Sequence, residues 1–179
     1  MIVAIPLALA VIDCQSVQAA GHGKLDQLFE RLADPEERDW KIIEQEIRRL
    51  WAQSGSPTAD LLLKRGSEAM RRGDYDSALA HLTALVDSAP DFAEGWNRRA
   101  TLFYLTQRFS LSVSDIERTL ALEPRHFGAM SGLATIFIRL GRPEQALAVY
   151  EHLLTIHPHQ PSIHEAIRRL REQVEGTGI

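Results

Sequence analysis

The chain has 179 residues, of which 45% are hydrophobic and 25% are charged, which is typical of one soluble globular domain. Its formal net charge is −4, so the chain lacks the basic field that attracts nucleic acid. The single cysteine, Cys14, excludes an intrachain disulfide and a zinc site built from cysteines.

The first nineteen residues have the pattern of a secretory signal peptide. Residues 2–12 form an unbroken apolar run, and Val17 and Ala19 occupy positions −3 and −1 of a cleavage site before Ala20. This run is shorter than the roughly 20 residues that span a bilayer. The sequence therefore predicts that residues 1–19 are a signal peptide, that the chain is periplasmic or otherwise exported, and that the mature chain has no membrane span. No Lys or Arg precedes the run, so an uncleaved N-terminal anchor or a different start stays open.

Residues 24–56 predict a hairpin of two helices. Asp34-Pro35 is a typical helix start, because Asp can accept hydrogen bonds from free N–H groups and Pro fits the first turn. We expect the hairpin to pack over the first of the repeats described next, because the end of a helical array exposes an apolar face. Trp40 and Trp51 fall on an apolar stripe and are expected in the core of this cap. The stripes of the two helices are Leu25, Leu28, Phe29 and Leu32, then Trp40, Ile43, Ile47, Leu50 and Trp51.

One pattern then recurs three times between residues 59 and 160. Its prolines, Pro90, Pro124 and Pro158, are each 34 residues from the next. A period of this length indicates an array of stacked units. Five further positions keep the spacing: the small residues Gly66, Ala100, Ala134 and Ala78, Ser112, Ala146; the large apolar residues Leu62, Trp96, Met130 and Leu82, Ile116, Tyr150; and the turn residues Gly73, Gln107, Gly141.

This pattern resembles the tetratricopeptide repeat, with units at residues 59–92, 93–126 and 127–160. The resemblance implies an all-α fold, a right-handed α-solenoid of three helix pairs whose first pair covers roughly residues 57–71 and 75–87. The recurring small residues suit a close crossing of the two helices of each pair. The N-terminal helical hairpin would cap one end, and an amphipathic helix predicted at 161–175 would be the C-terminal capping helix.

The resemblance also implies a concave groove lined by the first helix of each repeat, in which members of the family hold peptides. The groove positions are Leu63, Ser67, Met70, Asn97, Thr101, Tyr104, Ser131, Thr135 and Ile138. Their mixture of uncharged polar and apolar groups suits an extended peptide or a partner helix. The basic and asparagine clamp of the family's chaperone-tail binders is absent, so binding of a C-terminal carboxylate is not predicted.

Histidines are frequent near the C-terminal end, at His152, His157, His159 and His164. Their spacing includes no helical i,i+4 pair, so we expect solvated turn histidines and no metal site. The sequence also contains no G-x-S-x-G motif, phosphate loop or dinucleotide fingerprint. It therefore predicts no enzyme, no catalytic residues and no cofactor.

The function predicted from these features is a non-catalytic protein–protein interaction adaptor of the bacterial cell envelope, with another protein or peptide as its partner. An RNA-binding helical repeat is one alternative, but the 34-residue period and the net charge of −4 disfavour it, so no nucleic acid is expected. A structural repeat protein without a peptide ligand is the other alternative.

Overall fold

The computed structural model describes the backbone of residues 14–176 and the side chains of residues 23–175. Within that range the chain is all α-helical, with no strand, as the repeat pattern predicts. The helices are α1 (Cys14–Ala33), α2 (Trp40–Trp51), α3 (Pro57–Arg71), α4 (Tyr75–Ser88), α5 (Ala93–Leu105), α6 (Phe109–Leu122), α7 (Phe127–Arg139), α8 (Pro143–Ile156) and α9 (Pro161–Gly176).

Helices α3 to α8 form three pairs, α3 with α4, α5 with α6, and α7 with α8. The turn residues Gly73, Gln107 and Gly141 have positive φ angles of 74°, 59° and 67°. All three turns therefore place a residue in the left-handed backbone conformation at the same repeat position. Gln107 adopts this conformation although it lacks the conformational freedom of glycine. Pro143 begins α8, where its missing N–H has no helical acceptor to lose.

The two helices of each pair cross closely at the predicted small residues. A Cβ atom on Gly66 would lie 2.7 Å from the side chain of Leu82, so the first crossing has no room for a methyl group. In the second pair, the Ser112 hydroxyl donates a 2.8 Å hydrogen bond to the carbonyl of Ala100 across the crossing. Ala134 in the third pair is completely buried. The small-residue series thus marks the points where the helices touch.

The N-terminal hairpin does not pack over the first repeat, and that expectation is wrong. Phe29 of α1 and Trp51 of α2 pack on Phe127 at the start of α7, with ring centroids 6.4 and 4.8 Å away. The hairpin shares one apolar cluster with the third repeat and α9: Phe29, Leu32, Ile43, Ile47 and Trp51 with Phe127, Met130, Ala134, Ala146, Tyr150, Leu153, Ile163, Ile167 and Leu170. The hairpin therefore caps the C-terminal half of the array.

Helix α2 runs along the edge at which α7 and α9 begin. At its C-terminal end, Trp51 stacks on His126 with ring centroids 4.1 Å apart and planes 8° apart. At its N-terminal end, Trp40 stacks on His159 at 5.6 Å and 6°. A salt bridge of 2.8 Å between Arg125 and Asp26 adds a polar contact between the turn before α7 and α1. Aromatic stacking and charge thus place the hairpin on this edge.

Helix α2 begins later than the sequence indicates. The segment Asp34-Pro35 forms turns instead of a helix start, and the Asp34 carboxylate accepts the N–H of Glu36 at 3.0 Å. Arg31 at the end of α1 donates to the Glu37 carboxylate at 2.9 Å. These local bonds satisfy the Asp and Glu side chains within the turn, and the helix starts only at Trp40.

Residues 1–13 of the predicted signal peptide lie outside the described part of the chain. Helix α1 begins at Cys14 and continues past the predicted cleavage point after Ala19. Among residues 14–176, no helix combines the length and the apolar composition that crossing a bilayer requires.

Candidate functional site

A cleft of about 90 Å³ opens between α5 and α7, with α6 as its floor. We call it the central cleft. It is lined by Asn97, Ala100, Thr101 and Tyr104 of α5, Ser112 and Ile116 of α6, and Gly128, Ala129, Gly132 and Ile136 of α7. It lies between the first helices of the second and third repeats, on the face predicted to hold a partner.

Two residues of α7 that line the central cleft, Gly128 and Gly132, have no side chain. A Cβ atom on Gly128 would meet His126 at 3.4 Å and Arg48 of the hairpin at 3.7 Å. A Cβ atom on Gly132 would meet only Ile116, at an ordinary contact distance of 3.7 Å. The space in front of Gly132 is therefore large enough to hold a methyl group without a clash.

The structure brings three of the nine predicted groove residues together in the central cleft. These are Asn97, Thr101 and Tyr104, all half-exposed on α5. The α7 residues Ser131, Thr135 and Ile138 lie outside the lining of the cleft, whose α7 wall is formed by Gly128, Ala129, Gly132 and Ile136.

The three α3 positions lie apart from the central cleft, in the first repeat. Leu63 is only 7% exposed and belongs to the core of that repeat, which departs from its predicted place in the groove. Met70 is partly buried against the same core, and Ser67 is half-exposed. The first repeat therefore offers a partner less accessible surface than the pattern suggests.

Tyr104 also contacts the second helix of its own repeat. Its ring centroid lies 5.8 Å from that of Phe109 at the start of α6. Replacing Tyr104 would therefore disturb packing as well as the cleft surface, so it is a poor position for a clean binding test.

Sequence reasoning missed a buried carboxylate beside the cleft. Glu94, in the first turn of α5, is 7% exposed and accepts hydrogen bonds from the Asn97 amide at 2.9 Å and from Arg98. His126 binds the same carboxylate through Nε2 at 3.1 Å. The His126 Nδ1 accepts the N–H of Ala129, so Nε2 carries the proton and donates to Glu94. No motif signals this cluster, because Glu94 and His126 stand at opposite ends of the second repeat, 32 residues apart in the chain.

Glu94 remains ionised although it is buried. Burial raises the pKa of its carboxyl, but the hydrogen bond from His126, the charge of Arg98 and the Asn97 amide outweigh burial. The net result is a pKa below the ordinary value. A similar contact occurs at the hairpin, where the hydrogen bond from His157 lowers the pKa of Glu44.

The prediction of solvated turn histidines is wrong for His157, and His126, which that prediction did not include, is buried as well. His157 is completely buried and contacts the Glu44 carboxylate at 3.2 Å. His126 is 1% exposed between Trp51 and Glu94. These histidines join the hairpin to the array. Within the described residues, no three His, Cys, Asp or Glu side chains are grouped to hold a metal ion.

A larger hollow of about 440 Å³ lies between α1 and the end of α8, but it is a weaker candidate site. It is wide and open to solvent, and the salt bridge between Asp26 and Arg125 crosses its lining. A ligand there would compete with a contact that holds the hairpin, whereas the central cleft can be filled without breaking any contact.

Comparisons with known proteins agree with this architecture. A sequence model of the tetratricopeptide repeat matches residues 63–115 and 106–161. A TPR repeat-containing protein of Rhizobium etli is 36% identical over 169 residues, which cover 93% of this chain and 82% of that protein.

Two solved structures show the same fold. The first TPR of Spaghetti (RPAP3), bound to an HSP90 peptide, matches with a TM-score of 0.64 at 23% identity, over 67% of this chain and 95% of that one. The crystal structure of MamA matches with a TM-score of 0.62 at 18% identity, over 93% of this chain and 86% of that one. The MamA match therefore extends well beyond the three repeats.

Proposed function

We propose, from the premise that this chain belongs to the tetratricopeptide repeat family, that it is a non-catalytic adaptor that binds another protein. The partner presents an extended peptide or a helix to the concave face, and no nucleic acid is involved. The observation that carries this proposal is the central cleft, an unfilled space between two helices of the array. The RPAP3 repeat bound to an HSP90 peptide supports a peptide as the partner.

The position of the cleft favours binding over mere solvation. It lies between the second and third repeats, so a partner that lies along the concave face would extend over the cleft and over the repeat on each side of it. Groups at the centre of an interface are shielded from water and tend to dominate affinity. Asn97 and Thr101 supply polar contacts there, while Ala100 and Ile116 supply an apolar floor.

We propose further that the adaptor acts in the bacterial cell envelope. The apolar run at residues 2–12 and the residues before Ala20 support export. The test is the intact mass of the protein purified from its native host after fractionation. A mature protein that begins at Ala20 in the envelope fraction is the expected result. A chain that retains Met1 and remains in the cytosol would exclude export.

The binding test uses Gly132→Ala. The added methyl group enters the central cleft without a clash, since its nearest neighbour would be Ile116 at 3.7 Å. Replacing glycine inside a helix by alanine stabilises the fold by up to about 1 kcal/mol. We therefore expect a higher melting temperature together with partner binding weakened by about 1–3 kcal/mol, because the partner loses its place in the cleft.

The partner is first isolated by cross-linking in envelope fractions and then titrated as a purified protein. Ser110→Ala, at an exposed position of α6, is the matched control that favours helix formation and leaves the cleft unchanged. If Gly132→Ala binds the purified partner as tightly as the wild type and Ser110→Ala do, the central cleft is not the binding site.

A further inference from the structure

We infer that the central cleft selects a lysine side chain of the bound partner. This inference rests on the proposed function, because it names the group that enters the same cleft. It follows from the hydrogen-bonding state of the polar side chains in the cleft, which leaves oxygen acceptors and almost no donors facing the space.

Three polar side chains of the cleft have their donors turned away from it. The Thr101 hydroxyl donates to the carbonyl of Asn97 at 2.9 Å, and the Ser112 hydroxyl donates to the carbonyl of Ala100 at 2.8 Å. A hydroxyl has one proton, so each oxygen can now only accept. The amide nitrogen of Asn97 is turned to Glu94 at 2.9 Å, which leaves the Asn97 side-chain oxygen on the other side.

Tyr104 is the one polar residue of the lining whose hydroxyl has no such internal bond among the contacts of the described residues. Its hydroxyl can donate or accept, and its ring presents an electron-rich face to a cation. Tyr104 therefore tolerates either kind of ligand by hydrogen bonding but favours a cation through its ring.

A lysine side chain complements this arrangement. Its ammonium group has three donors and no acceptor, which matches the oxygens of the half-exposed Asn97 and Thr101 and the deeper oxygen of Ser112, a residue that is 1% exposed. Its four-carbon stem is slender enough to lie along apolar surface, and the half-exposed ring of Tyr104 provides that surface in the cleft. A carboxylate has the opposite polarity, because it needs donors and the three oxygens supply none.

The nearby arginines do not reverse this preference. Arg98 is paired with Glu94, and Arg48 of the hairpin is paired with Glu44 at 2.8 Å. Neither arginine lines the cleft. Since each guanidinium has its own carboxylate, the local charge is balanced and the hydrogen-bond polarity of the lining decides which ligand fits.

The test titrates the full chain with three blocked pentapeptides by NMR. The peptides differ only in their central residue, which is lysine, norleucine or glutamate between alanines. Norleucine has the apolar stem without the ammonium group, so it isolates the contribution of the donors. We expect the lysine peptide to shift the amide signals of Thr101 and Gly132 and to bind about tenfold more tightly than the norleucine peptide. The glutamate peptide should not shift these signals.

Two variants separate the hydroxyl acceptor from general effects on the helix. Thr101→Val keeps the shape of the side chain and removes one acceptor from the cleft. Thr135→Val is the matched control, because the Thr135 hydroxyl makes the same bond to its own helix, at 2.8 Å from the Ser131 carbonyl, outside the cleft. Thr101→Val should weaken binding of the lysine peptide about threefold to tenfold and leave the norleucine peptide unchanged. Thr135→Val should change neither.

The lysine inference is overturned if the norleucine or glutamate peptide binds as tightly as the lysine peptide, if none of the peptides shifts the cleft signals, or if both threonine variants lose binding equally. Binding of the norleucine or glutamate peptide in the cleft would leave the proposed adaptor function standing. The central cleft fails separately as the binding site of the adaptor, when the Gly132→Ala variant binds the isolated partner as tightly as the wild type does.

Discussion

The fold buries the Glu94 carboxylate almost completely and still keeps it ionised. Three different side chains, those of Asn97, Arg98 and His126, donate to it. Because Asn97 faces the central cleft and His126 stacks on Trp51 of the hairpin, one carboxylate connects the cleft wall with the hairpin. A charged group can be buried at acceptable cost only when it is hydrogen-bonded in this way.

This arrangement predicts that Glu94 contributes to stability in a pH-dependent way. The folded-state pKa of its carboxyl lies below the ordinary value near 4.5. A depressed pKa gives stability that is present above the unfolded-state pKa and is lost as the pH falls through the folded-state pKa. We expect Glu94→Gln to be less stable than the wild type by about 1–3 kcal/mol at neutral pH, with the difference shrinking below about pH 4.5.

Urea unfolding at a series of pH values from 7 to 3 measures this difference. Glu117→Gln, which changes an exposed carboxylate of α6, is the control and should follow the wild-type curve. A stability difference for Glu94→Gln that stays constant over the whole range would mean that the Glu94 charge does not stabilise the fold.

At the scale of the helix pair, the points where the two helices cross limit the size of the side chains that the fold tolerates there. Ala100 is 2% exposed, and its carbonyl receives the Ser112 hydroxyl from α6. We expect Ala100→Leu to destabilise the fold by about 1–3 kcal/mol, because the larger side chain would push α5 and α6 apart. Ala80→Leu makes the same change at an exposed position of α4 and should be tolerated. Thermal melts compare the two, and equal melting temperatures would contradict the crossing.

The helix pairs were predictable because their determinants are local and periodic. Pro143 ends one turn and starts a helix, and the series Gly66, Ala100 and Ala134 repeats every 34 residues at the crossings.

The cleft was only partly predictable. Helix geometry places Asn97 and Thr101 on the concave face, but the depth of the cleft depends on missing side chains in α7 and on contacts between repeats.

For the whole molecule, the position of the N-terminal hairpin is the main feature that the sequence does not reveal. The amphipathic stripes show that the two helices need a partner surface, but they do not identify it. The contacts that identify it join residues far apart in the chain, such as Asp26 with Arg125 and Glu44 with His157. Single contacts of this kind have no period, so a pattern search cannot detect them.

The position of the hairpin predicts which helices lose stability when one of its buried side chains is removed. Trp51→Ala removes a ring packed between His126 and Phe127, and such truncations cost about 3–5 kcal/mol. We expect amide hydrogen exchange to accelerate more in α7 to α9 than in α3 and α4, because opening is local to the elements that the hairpin covers. Ile42→Ala is the control on the same helix, since Ile42 is 66% exposed. Faster exchange in α3 and α4 alone would place the hairpin on the first repeat.

The docking of the hairpin on the third repeat also sets an order of events during synthesis. Each helix pair of the array can form from neighbouring residues, but Asp26 is 99 residues from its partner Arg125 and Glu44 is 113 from His157. At translation rates of about 5–20 residues per second, the hairpin waits roughly 5–20 seconds for the surface it covers. The apolar stripe of the hairpin stays uncovered throughout this interval. Its docking on the third repeat comes last, because it joins residues that are far apart in the chain. The two hairpin helices thus leave the ribosome before the array does and reach their final place after it, and a chaperone that shields them would act during this interval.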